Sequence, residues 1–184
     1  MIVDMSRLED EGLKIVAELM AIAAKTAPKG FGVDCIETAL IYGDEKEELA
    51  KYMDQLADEL RDPLYKRDAN SVRASSAVFL IGLKDGGEIA KANCGACGFP
   101  SCEDMLRNRR AGLLFPGPTC IVRALDLGIA IGSAVKVCSI LNVDNRVMFR
   151  VGVAAKRLGF LKSDIVIGIP LAVKSKSPFF DRKA

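Results

Sequence analysis

The chain has 184 residues, half of them hydrophobic, with 26 lysines and arginines against 24 aspartates and glutamates and no histidine. That composition describes an ordinary globular chain with room for one good-sized core, and its mixed, near-neutral charge offers no basic run for nucleic acid. The absence of histidine removes Ser-His-Asp and Cys-His catalysis, histidine-ligated haem and H-E-x-x-H metal chemistry together, and no Walker loop or G-x-G-x-x-G phosphate cradle occurs.

The opening run, M-I-V-D-M-S-R-L-E-D-E, is acidic and does not read as a secretory signal, so the expectation is a cytoplasmic protein with reduced cysteines. Ser6 is placed to cap a first helix over 6–27, whose apolar residues Leu8, Ile15, Val16, Leu19, Met20 and Ala23 recur at helical spacing. Pro28 and Gly30 end it. The apolar run 36–42 fits an edge strand or a helical turn. Asp44 with Glu47 opens a second helix, striped by Leu49, Met53, Leu56 and Leu60 and stopped at Asp62-Pro63. Asp68 and Asn70, in R-D-A-N, fit turn formers and functional groups equally.

Residues 77–83, A-V-F-L-I-G-L, are continuously apolar, as in a strand covered on both faces. Lys84-Asp85-Gly86-Gly87 supplies its turn. A long helix over 119–141 is apolar almost all round, with a thin polar line through Arg123, Asp126, Ser133 and Lys136. Those two charges within 125–141, Asp126 and Lys136, make it a buried helix and not a membrane span. Ala124, Gly128 and Gly132 are small residues four apart, which permits close helix approach. Asp144 is placed to cap a further helix closed by Gly159, and 164–170 reads as a second buried strand. The tail carries Phe179 and Phe180 but is too polar for core.

Between the first buried strand and the long helix lie four of the six cysteines. Cys94, Cys97 and Cys102 form C-G-A-C-G-F-P-S-C, and Cys120 follows in P-T-C. Thiolates gathered at this range need an iron–sulfur cluster, a zinc ion or disulfide chemistry to hold them. A four-cysteine zinc site usually has two C-x2-C knuckles, and only one is present. A cuboidal four-iron cluster takes three ligands from a short wrapping loop and one from a distance, so the spacing favours iron–sulfur. Gly95 and Gly98 suit the wrapping loop. Ser101, with Asp104 three residues on, is placed to cap a helix whose first turn holds Cys102, and Cys120 would head the next helix. Cys35 and Cys138 read as packed thiols. Lys91, Arg107, Arg109, Arg110 and Arg123 either form solvated helix faces or offset the charge of the bound group.

The C-G-x-C-G-x-x-x-C run with one later cysteine resembles small 4Fe-4S domains. The stretch D-L-G-I-A-I-G-S-A-V-K-V-C, then A-A-K-R-L-G, then I-V-I-G-I-P-L resembles the C-terminal half of nitroreductase-like flavoproteins, and A-A-K-T-A-P-K resembles their first helix and its loop. Together these identify the chain as a member of a family of uncharacterised ferredoxin-domain proteins, a 4Fe-4S motif set in a nitroreductase-like framework. The resemblance implies a single α+β domain over 1–184, a small sheet covered by helices, with the cluster-binding segment inserted at 84–122. It implies a 4Fe-4S cluster on Cys94, Cys97, Cys102 and Cys120, electron transfer with a redox partner protein, and a homodimer paired through the long helix. It also raises FMN and a flavin-dependent oxidoreductase activity. The arginine-serine-arginine phosphate run of nitroreductases is replaced here by M-S-R-L-E-D, which leaves Arg7, Lys29, Arg182 and Lys183 to meet the flavin phosphate. The reading from another class is a binding or scaffold protein in which the same four cysteines hold structural zinc.

Overall fold

The apolar run A-V-F-L-I-G-L forms β2 (Ala77–Leu83), buried along its whole length. It pairs antiparallel on one side with β1 (Ile36–Ile41) and on the other with β4 (Ile165–Ala172). A two-residue strand, β3 (Asp144–Asn145), adds to the far side of β4, giving the order β1-β2-β4-β3. This is a computed structural model that describes residues 2–84 and 91–180. The helices are α1 (Met5–Thr26), α2 (Asp44–Glu59), α3 (Leu64–Ala74), α4 (Cys102–Arg107), α5 (Ile121–Ile140) and α6 (Phe149–Arg157).

Because side chains alternate along a strand, β2 feeds two cores. Ala77, Phe79, Ile81 and Leu83 pack with α1 and α5, among Met20, Ala24, Ala130, Ala134 and Cys138. Val78 and Leu80 pack on the opposite face with α2, α3 and α6, among Leu49, Met53, Leu56, Val72 and Val151. The sheet is therefore covered on both sides, as the unbroken apolar run requires. Gly152 lets α6 lie directly on β4: a Cβ there would overlap the Val166 carbonyl oxygen.

Several local expectations are corrected. Asp4, not Ser6, caps α1, accepting the Arg7 N–H at 2.9 Å. Gly43, at φ 62°, precedes α2, whose first turn makes no side-chain cap, though Asp44, Glu45 and Glu47 face the positive end of its dipole. The R-D-A-N run lies inside α3, where Asp68 is buried and bonded by Arg67 at 2.7 Å. That pairing outweighs its weak helix propensity. Asp144 belongs to β3 instead of capping α6. Phe179 enters the core beside α2 and α6, while Phe180 remains exposed. Gly159, at φ 77°, closes α6 as expected. The proposed turn at 84–87 lies largely outside the described residues.

The long helix turns part of its polar line into the core. Arg123 and Asp126 face inward and are buried, whereas Ile121, Leu125 and Ile129 are exposed. The inward charges satisfy each other and backbone groups of the loop after α1, which an outward pose would leave unmet. No helix among the described residues is long and apolar enough to cross a membrane.

Replacing Gly152 with Ala tests the contact between α6 and β4. The overlap with Val166 backbone cannot be relieved by a rotamer change, so the loss should be roughly 3 kcal/mol. Chemical denaturation should show a lower midpoint at unchanged slope; an unchanged midpoint would mean the two elements do not meet this closely.

Candidate metal centre

The cysteine segment leaves β2 and returns to the fold at α5. Four of its described residues hold left-handed backbone: Lys91 (φ 52°), Asn93 (φ 46°), Gly95 (φ 69°) and Gly98 (φ 85°). Glycine meets that demand at the two positions between the first three cysteines, where the chain doubles back and the Gly98 N–H bonds the Gly95 carbonyl at 3.0 Å. Ser101 caps α4 as expected. Its hydroxyl accepts the Asp104 N–H at 3.1 Å and donates to the Asp104 carboxylate at 2.6 Å. Cys102 is the first residue of α4.

Asn93 fixes Cys102 from both directions. Its side-chain oxygen accepts the Cys102 N–H at 2.9 Å, and its backbone N–H lies 3.4 Å from the Cys102 sulfur. A backbone donor aimed at sulfur is the kind of contact that stabilises a thiolate ligand. Cys120 is the N-cap residue of α5, yet its sulfur makes no capping bond. It is thus held at the positive end of a 20-residue helix with its sulfur unspent.

Cys120 and Met105 form a small buried cluster, against which Cys97, Phe99, Cys102, Leu106 and Val122 pack. Three of the four motif cysteines therefore pack into one apolar cluster, and Cys94 is exposed. As placed, no three Cys, Asp or Glu side chains among the described residues converge tightly enough for a metal ion. An all-sulfur set around an apolar pocket, on a left-handed loop and a helix start, is the donor chemistry of an iron–sulfur site.

The segment is fastened to the body by a few contacts. Leu114 and Phe115 pack on the core beneath α2 and α6, where Phe115 meets Phe149 edge to face at 5.3 Å. Arg157 donates to the Leu113 carbonyl at 3.0 Å, and Arg109 pairs with Asp164 at 3.2 Å. Arg107 pairs with Glu103, so the helix bearing Cys102 carries mixed charge.

The residues expected to meet a flavin phosphate do not gather. Arg7 bonds Glu11 at 2.7 Å on the exposed face of α1. Lys29 is turned inward, its ammonium donating to the carbonyls of Ala24, Lys25 and Ala27 at 2.7–2.8 Å. It thereby closes the C-terminus of α1, a role that engages its three donors. Arg182 and Lys183 lie outside the described residues.

A group that inspection of the sequence missed lies one turn into α5. Arg123 donates to Asp126 at 2.8 Å, to the Gly30 carbonyl at 3.1 Å and to the Val33 carbonyl at 3.3 Å. Asp126 accepts the Gly30 N–H at 2.8 Å, and the Cys35 sulfur lies 4.0 Å from it. A signal was present: opposite charges three apart on an otherwise apolar helix can pair internally.

The helices on both sheet faces, together with the small antiparallel sheet, define a nitroreductase-like α+β fold. The nitroreductase of Desulfitobacterium hafniense with bound FMN superposes with a TM-score of 0.55 over 88% of this chain and 78% of that one, at 13% identity. The Lactococcus lactis nitroreductase CinD, in complex with chloramphenicol, gives 0.61 over 89% and 79%, at 12% identity. At the level of sequence, an uncharacterised protein of Archaeoglobus fulgidus is 47% identical over 182 residues, 99% of this chain and 98% of that protein. A family model described as "uncharacterized protein containing a ferredoxin domain" matches residues 116–182, which include Cys120. The chain belongs to this ferredoxin-domain family.

The remaining cysteines are packed thiols. Burial raises the Cys35 pKa, against the opposing pull of Arg123. Burial also pushes Cys138, which lies 3.1 Å from the Met20 sulfur, from 9.0 to about 12. The folded state then keeps the Cys138 proton where the unfolded chain loses it. Stability should therefore fall as pH rises from 9.0 towards about 12. Cys138→Ala should flatten that decline in denaturation curves recorded across the window; a decline of the same steepness would show that Cys138 is not its source.

Proposed function

We propose that the protein is an iron–sulfur redox protein that carries single electrons on a 4Fe-4S cluster ligated by Cys94, Cys97, Cys102 and Cys120. The observation that carries this reading is the packing of Cys97, Cys102 and Cys120 with Met105 in one small apolar cluster. When bound, the cluster supplies one-electron chemistry. The chain supplies thiolates held by Asn93 and the start of α5, glycines that let the loop wrap, and Met105, Phe99 and Val122 to exclude water.

Four cysteine ligands leave no iron open to substrate, and no histidine stands near to move a proton. The site therefore suits a relay working with a redox partner protein. The nitroreductase-like fold raises a flavin as second cofactor, but Arg7 and Lys29 are engaged elsewhere, so the electron-carrier form is the better supported. Protein prepared without oxygen should contain iron and sulfide in equal amounts. Cys→Ala at position 94, 97, 102 or 120 should lower or abolish both, whereas Cys35→Ala and Cys138→Ala should leave them unchanged. Stoichiometric zinc without sulfide would instead support the structural-zinc reading, and tightly bound FMN would support the reductase.

The working form proposed is a homodimer built on α5. Its outward face carries Ile121, Leu125 and Ile129 beside Gly128 and Gly132, where a Cβ would meet nothing within 4 Å. Such a face suits close approach of a second helix. Sedimentation should show a dimer at micromolar concentration, and Gly132→Arg should shift it to monomer through steric overlap and a buried charge. A monomeric unmodified protein would contradict this assembly.

A further inference from the structure

Arg123 is the largest side chain among the described residues with essentially no exposed surface. A charge withdrawn from water is costly, and buried ion pairs of this kind can often be replaced by packed apolar groups without loss. The pair ties the loop after α1 to α5, and its place also bears on the cysteines. That place is one helical turn from Cys120, on the same helix. Side chains on a helix lean towards its N-terminus, so the Arg123 stem runs back towards the turn that Cys120 opens. Asp126 sits a turn further along, tied to the Gly30 N–H and beside Cys35. Val122, between them in sequence, packs with Cys120 and Met105. The guanidinium is thus buried on the helix that Cys120 opens, bonded to Asp126 and to the Gly30 and Val33 carbonyls.

We propose that the Arg123–Asp126 pair sets the reduction potential of the cluster held by Cys120, Arg123 favouring the reduced state and Asp126 moderating it. The inference rests on the cluster reading above. When one electron passes from a redox partner to the cluster, the partner is oxidised and iron is reduced. The cluster gains one negative charge, with no covalent bond made or broken. A fixed cation in a low-dielectric interior stabilises that added charge more than it would in water. The nearby carboxylate opposes it.

The test is an anaerobic redox titration followed by electron paramagnetic resonance, with iron and sulfide assays and melting midpoints on every sample. Asp126→Asn keeps the shape and leaves the cation unopposed. At a fixed potential it should raise the ratio of reduced to oxidised cluster about ten-fold, equivalent to ~59 mV for a one-electron couple. Adding Arg123→Gln to that variant removes the cation and should reverse the shift. Arg123→Lys retains the charge and should stay near the unmodified protein. Should the double variant fail to fold, Asp126→Asn alone decides, because an unchanged potential there overturns the proposal. A series in which only the melting midpoints move, with cluster content and potential constant, shows a purely structural pair and also overturns it. Absence of iron and sulfide from the unmodified protein would defeat the cluster reading itself, and this inference with it.

Discussion

One buried ion pair joins three parts of the chain. Arg123 and Asp126, on the first two turns of α5, hold both the N–H and the carbonyl of Gly30 and the carbonyl of Val33. They thereby fix the loop that leaves α1, the approach to β1 through Cys35, and the start of the helix that carries Cys120. Gly30 must be glycine for this contact, since a Cβ would overlap Val122. Breaking one side of a buried pair typically costs about 3–5 kcal/mol. Set against a whole-domain stability of about 5–15 kcal/mol, that makes the pair a principal constraint on how the cysteine site is mounted.

The rest of the fold separates stability from chemistry. The sheet carries two cores, one under α1 and α5 and one under α2, α3 and α6, each built from residues of the sheet and its helices. The loop meets the body through Phe115, Leu114, the Arg157 bond to Leu113 and the Arg109–Asp164 pair. Cys120, by contrast, is part of α5 and already positioned by the main core. The site is therefore half rigid helix and half wrapping loop.

Much of this was legible in the sequence where periodicity and local chemistry agreed. The continuous apolar run gave β2 its boundaries, and the Ser101–Asp104 spacing gave α4 its cap. Gly95 and Gly98 took the left-handed backbone that their places between cysteines required. Legibility failed where long-range partners overrode local preference. Arg123 and Asp126 read as part of a thin polar line, Arg123 as solvated or offsetting the bound group's charge, because nothing local reveals that the loop after α1 brings backbone groups to meet them. Asp68 read as a turn former or a functional group for the same reason, its distant partner Arg150 lying on α6. Lys29 read as a free cation near an anion site, but three helix-end carbonyls claim it.

The resulting picture is a nitroreductase-like framework with three of the four motif cysteines packed around Met105 near the head of α5. Its central claim is that four named sulfurs hold one iron–sulfur group. Anomalous scattering at the iron edge, from crystals grown without oxygen, tests this directly. The expected result is one compact group of iron peaks within bonding distance of the sulfurs of Cys94, Cys97, Cys102 and Cys120. A single peak at the zinc edge, or iron bound away from these cysteines, would contradict it.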